Sequence, residues 1–177
     1  MPSVLTWDSD VIYDSPDYTW DGYFLGDNPL TIQEALSREL RYGEALDGLV
    51  DPGNVHMEMR LSATRDPSAY PAVIFRRITS SEDNRVRYAR ERWEIEVIGQ
   101  LTNPDTGDDA LEAIKESLLE QFAGKHRTFG AFDSDGTENP YTGLRMKCFH
   151  VNTLEFIDED IDEKAHIHIF VFTYIRS

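Results

Sequence analysis

From Tyr88 to Gly99 the chain alternates with a period of two, and this stretch constrains the fold more than any other. Trp93, Ile95 and Val97 fall on one side and Arg92, Glu94 and Glu96 on the other, the pattern of a β-strand with one buried face. The run from Gln100 to Gly107 then turns the chain. Leu111, Ile114, Leu118, Leu119 and Phe122 share one face of a helix expected from Asp108 to Ala123. A strand that feeds directly into an amphipathic helix places that helix back across its own sheet.

The remaining chain reads as strands that complete this sheet and a second helix that covers it. The fold class expected is α+β, mainly an antiparallel sheet with two amphipathic helices packed against it, preceded by an extended N-terminal arm. A chain of 177 residues, 40% hydrophobic, supports one core and not two, so one domain is expected over residues 29–177 behind an arm over 1–28. The net charge of −16, from 33 acidic against 17 basic residues, argues against general contact with phosphate backbones. Arg outnumbers Lys 13 to 4. Few lysines among many carboxylates suit solubility in concentrated salt and a halophilic host, and equally suit an acidic protein in ordinary surroundings. The single cysteine, Cys148, lies in an alternating run and reads as a small core residue. No apolar run reaches the roughly 20 residues that cross a bilayer, and no membrane partner is expected.

In order, the arm mixes Trp7, Tyr13, Tyr18, Trp20, Tyr23 and Phe24 with many aspartates and has no helical period. It either docks its rings on a neighbouring subunit or covers its own domain. A helix follows over Leu30 to Tyr42, capped by Asn28 with Pro29, or by Thr31 with Glu34 as a capping box. Ile32, Leu36 and Leu40 form its apolar face. A turn at Asp51 to Asn54, a strand at Val55 to Leu61, a loop at Ser62 to Tyr70 and a strand at Pro71 to Ile78 come next. The polar run Thr79 to Arg85 makes a hairpin with the Tyr88 strand. Arg76, Arg77, Arg85, Arg87, Arg90 and Arg92 make that hairpin the basic region of an acidic chain. It serves either cross-strand pairs with Glu91, Glu94 and Glu96 or contact with an acidic surface on another copy. Gly124 to Gly143 reads as a long glycine-rich connection. The last strands, Leu144 to Phe156 and Ala165 to Ile175, flank an acidic hairpin tip, and the second of them, apolar on both faces, is expected to be central.

Chemistry is sparse. Asp133 to Glu138 resembles a calcium loop only faintly, lacking the later acidic ligand, and reads as an exposed turn. His166 and His168 share a strand face, with His150 on the preceding strand, and read as satisfied surface histidines. A small metalloenzyme using the three is the alternative of another class. No nucleophile elbow, phosphate loop or paired-cysteine site occurs, so no catalytic residue, metal ligand or cofactor is assigned.

The order of helix, strand, hairpin, helix and two long strands resembles the tail terminator and tail completion proteins of long-tailed phages and tailed archaeal viruses. The residues that carry the likeness are Ile32 to Leu49, Tyr70 to Ile78, Arg92 to Ile98, Ala110 to Phe122 and the closing apolar strand that ends near Ser177. The resemblance implies a non-enzymatic virion protein of the tail or neck, assembled in the host cytoplasm. It would form a hexameric ring that caps the tail tube, ends tube polymerisation and joins the tail to neck or connector proteins. DNA would pass through without specific binding. Trp7, Tyr13, Trp20, Tyr23, Phe24, Arg85, Arg87 and Arg90 are the partner-binding candidates, and Asp158, Glu159, Asp160 and Asp162 the candidate lumen or tip acids. The arm and the long glycine-rich connection exceed what a minimal member needs. A neck or head-completion protein is the alternative within the same class, and an acidic module that mimics DNA is a third reading.

Overall fold

The computed structural model describes residues 31–57, 67–83 and 88–175. The arm with Trp7, Tyr13, Trp20, Tyr23 and Phe24, the Asn28 and Pro29 cap, the second half of the strand expected to reach Leu61, Arg85 and Arg87, and the last two residues lie outside that range.

Helix α1 spans Ile32–Tyr42. Thr31 is its cap: the hydroxyl accepts from Glu34 N at 3.2 Å while Thr31 N donates to Glu34 Oε2 at 3.0 Å. This reciprocal pair satisfies two of the donors that a helix start leaves open. Strand β1 is short, Val55–Met57, and β2 runs Ala72–Asp83, five residues beyond the Ile78 end read from sequence. The polar residues after Ile78 stay in the sheet because their backbones continue to pair with β3, Tyr88–Gln100. A register shift between Arg77 and Thr79 absorbs Ile78 as an extra residue.

Helix α2 covers Asp108–Phe122, with Asp108 and Asp109 in its first turn where the helix dipole favours negative charge. Strand β4, His126–Phe129, lies inside what read as a long connection. Four residues are too few to show a period. Strands β5, Leu144–Asp158, and β6, Glu163–Ile175, follow. The sheet order is β1-β2-β3-β6-β5-β4, with β1 parallel to β2 and the other pairs antiparallel. The sheet is therefore mixed, and β6 is an inner strand.

Both helices share one core with one face of the sheet. Leu36 and Leu40 of α1 and Leu111, Ile114, Leu118 and Phe122 of α2 meet Phe75, Trp93, Ile95, Val97, Cys148, Phe170 and Phe172. Phe122 packs edge-on against Phe129 at 5.3 Å between ring centres and tilted against Phe170 at 5.6 Å. Helix α1 touches both β1 and β4, the opposite ends of the strand order, so the sheet curls around it. Arg41 Nη2 donates to Val55 O at 3.1 Å on one side, and on the other Glu39 accepts from Arg127 Nη2 at 2.7 Å and from Gly130 N at 2.8 Å. Gly130, at φ 69°, leaves no room for a Cβ, which would sit 2.4 Å from Ala35 O.

On the reverse face a smaller cluster holds Tyr70, Ile74, Ile98 and Ala165. Glu91 corrects one expectation. It shares the Trp93 side of β3 by parity and is 6% exposed, accepting from Trp93 Nε1 at 2.9 Å and Tyr174 OH at 3.1 Å, so it is not a partner for surface arginines.

Candidate functional site

Among the described residues, strand β5 presents the most exposed apolar surface. Strand β4 pairs with it only over Leu144 to Lys147, and Gly124 and Lys125 take up the backbone of Cys148. Beyond Cys148, among the described residues, no strand pairs with its outer edge. A register shift between His150 and Asn152 makes Val151 an extra residue. After it, alternation sends Leu154 and Phe156 to the reverse face, opposite Ile167 and Ala165 on β6, while Phe149 lies opposite Val171. Phe149, Leu154 and Phe156 are 43%, 48% and 57% exposed, and Val151 and Ile157 are also more than half exposed. An unpaired edge carrying exposed apolar groups is a template for another chain.

Charge separates along the same sheet. Arg76 pairs with Glu94 on the reverse face and lies 3.7 Å from Glu96, while Arg77, Arg90 and Arg92 are exposed. Arg90 stands opposite Thr173 near one end of the β3·β6 ladder, and Gln100 stands opposite Glu163 at the other. Ten residues of strand separate these ends by about 33 Å at the usual rise per residue. The acidic end holds Asp158, Glu159, Asp160 and Asp162. It does not project freely: Asp162, left-handed at φ 55°, accepts from Thr102 N at 3.1 Å and from Thr102 Oγ1 at 2.7 Å. The loop before α2 is thereby stitched to the β5–β6 turn.

The histidines differ from the sequence reading. His166 and His168 are fully buried, because the parity that places Phe170 and Phe172 under α2 places them there too. Thr153 Oγ1 lies 3.0 Å from His168 Nδ1 and 2.9 Å from His150 Nε2, joining these two rings through a hydroxyl. Burial, with the neighbouring His166 and His150, lowers His168 to about 4, and burial also lowers His166 from the ordinary imidazole value. The three imidazoles do not converge on one point. His166 Nε2 instead faces Glu112 Oε1 at 3.8 Å and Glu155 Oε1 at 3.9 Å.

That carboxylate pair escaped the sequence reading. Counting back from the Asp158 and Glu163 pair at the turn sets Glu155 opposite His166, so half of it was accessible to hairpin arithmetic. Glu112 comes from α2, whose angle across the sheet has no signature in the sequence. The Asp133 to Glu138 segment is a turn with Gly136 at φ 89°. Its acids serve the turn: Asp133 Oδ1 accepts from Asn139 Nδ2 and Asp135 Oδ1 from Thr137 N, both at 2.9 Å.

No protein-family model matches this chain, and no curated protein sequence matches it. Among solved structures, a chain from the virion of a native gene transfer agent particle is similar to it, with a TM-score of 0.56 at 16% sequence identity. The match covers 82% of this chain and 95% of that one, and at this identity it is a likeness of fold.

Proposed function

We propose that this chain is a structural virion protein of the tail terminator kind, a ring-forming subunit that caps a tail tube and joins it to the neck. The observation that carries the reading is the fold likeness to a gene transfer agent virion chain, nearly all of which is covered. The open β5 edge supports it, since a subunit of a closed ring needs a surface that another copy completes. The separation of the exposed Arg90 end from the Asp158 to Asp162 end also fits a head-to-tail contact, in which unlike ends of successive copies meet. The ring is hexameric in this reading. Its carboxylates keep passing DNA from sticking, and the aromatic arm docks on a neighbour. The role is geometric and uses no catalytic group or cofactor.

Light scattering of the full chain at low and at multimolar salt, with electron microscopy of any large species, tests the ring. A six-fold ring, alone or on added tail tube, is expected. A chain that stays monomeric in every salt and with tube present would falsify the reading. Binding to purified portal or adaptor in place of tube would make it a neck or head-completion protein.

A further inference from the structure

His166 is a fully buried imidazole, and among the described residues neither of its ring nitrogens meets a hydrogen-bond partner. One nitrogen of a neutral imidazole always carries a proton, and buried polar groups are normally satisfied. The two groups in front of Nε2 are carboxylate oxygens, Glu112 Oε1 and Glu155 Oε1, at 3.8 and 3.9 Å. Those separations are too long for hydrogen bonds. The three atoms nonetheless lie within 4.8 Å of one another, and they come from α2, β5 and β6.

We propose that His166 Nε2, Glu112 and Glu155 form a binding site for a divalent transition ion, zinc by preference, that ties α2 to the β5–β6 hairpin. Ligand atoms about 2.0–2.2 Å from a tetrahedral zinc stand about 3.4 Å apart, so the two separations from His166 Nε2, at 3.8 and 3.9 Å, must close by about half an ångström and the carboxylate oxygens, within 4.8 Å of each other, by up to about 1.4 Å. The glutamates can supply that movement, being 45% and 53% exposed, whereas the imidazole is fixed in the core. The second oxygens are already directed elsewhere. Glu112 Oε2 takes Lys115 Nζ at 2.7 Å, and Glu155 Oε2 lies 3.9 Å from Lys164 Nζ, which is itself held by Asp108 at 2.7 Å. The Lys115 hydrogen bond orients the Glu112 carboxylate to offer its other oxygen inward, and the Lys164 ammonium lies on the outer side of Glu155. A nitrogen ligand beside two carboxylates favours zinc or a neighbouring transition ion over magnesium or calcium, which take oxygen. With three protein ligands, a fourth position stays open to water.

The test is a titration of the chelator-treated full chain with zinc chloride, read by calorimetry and by thermal unfolding, with magnesium chloride as the control. One zinc per chain and a saturable rise in Tm are expected, with no such rise from magnesium. Glu112→Gln and Glu155→Gln alter half-exposed side chains, so both variants should fold as the parent does. Each should weaken zinc binding at least tenfold, and the double variant should lose the Tm rise. Cobalt bound in place of zinc should give a visible absorption spectrum that the double variant lacks. No saturable zinc binding, or zinc binding unchanged in the double variant, overturns the proposal.

Discussion

Arg127 Nη2 donates to Glu39 Oε1 at 2.7 Å, joining β4 to α1 through a carboxylate only 3% exposed. The arginine keeps 34% of its side chain in solvent, so the two partners are unequal. Arg127→Ala leaves a buried charge with Gly130 N as its remaining neighbour and should cost about 3–5 kcal/mol. Glu39→Ala leaves an arginine that partly reaches water but also takes the acceptor from the buried Gly130 N, and should cost about 1–3 kcal/mol, less than Arg127→Ala. Urea unfolding of both variants decides it, and equal losses would mean that burial of the carboxylate is not what sets the energy.

Trp93 is 2% exposed and stacks on Phe75 with ring centres 6.1 Å apart. Trp93→Ala should cost about 3–5 kcal/mol in denaturant unfolding. Trp93→Phe keeps much of the apolar contact but leaves Glu91, among the described residues, the Tyr174 hydroxyl alone, and should cost about 1–3 kcal/mol. A near-neutral alanine variant would mean that the strand faces are reversed.

At Gly99 an added Cβ would stand 1.8 Å from Thr106 O, so the loop before α2 closes over this strand only because the side chain is absent. The clash is with backbone, which cannot rotate away. Gly99→Ala should destabilise by about 3 kcal/mol, measurable as a lowered Tm. A parental Tm would show that the loop can move aside.

Cys148 is fully buried, and burial pushes its thiol far above the ordinary value. The folded chain should therefore resist maleimide at pH 8 and react only on unfolding. The unfolded thiol titrates near pH 8.5, so stability from this group is whole below that pH and is lost as pH rises above it. Relative to Cys148→Ala, the parent should lose up to about 1.4 kcal/mol per pH unit there. Parallel pH profiles of the two would contradict this.

Leu154 and Phe156 contribute to the exposed reverse face and not to the helix-side core. Leu154→Asp with Phe156→Asp should leave monomer stability within about 0.5 kcal/mol of the parent. The same pair should abolish ring formation in sedimentation experiments if β5 is the subunit contact. Rings of unchanged stability would place the contact elsewhere.

Periodic stretches were legible in the sequence because parity and the helical repeat act locally. The Trp93 face of β3, the Leu111 to Phe122 stripe of α2 and the Thr31 capping box all occur as read. What escaped depends on partners remote in the chain. Strand β4 exists because Leu144 to Lys147 pair with it, and the fourteen residues between β1 and β2 are long enough for the crossover that a parallel pair requires. His166 and His168 carry the residue type of a surface and the parity of a core, and parity prevailed once α2 lay over them. Glu91 followed the same rule, and its two donors make its burial tolerable.

Strand β6 has consequences for how the molecule comes into being. It lies between β3 and β5 and follows both in the chain. Synthesis therefore delivers two incomplete half-sheets, β1-β2-β3 and β4-β5, with no direct ladder between them until β6 emerges. Each half meanwhile displays a bare inner edge. Long-range pairing of this kind is slow, and the waiting edges are open to the wrong partner. The arrival of β6 between β3 and β5 is thus the step that turns two half-sheets into one.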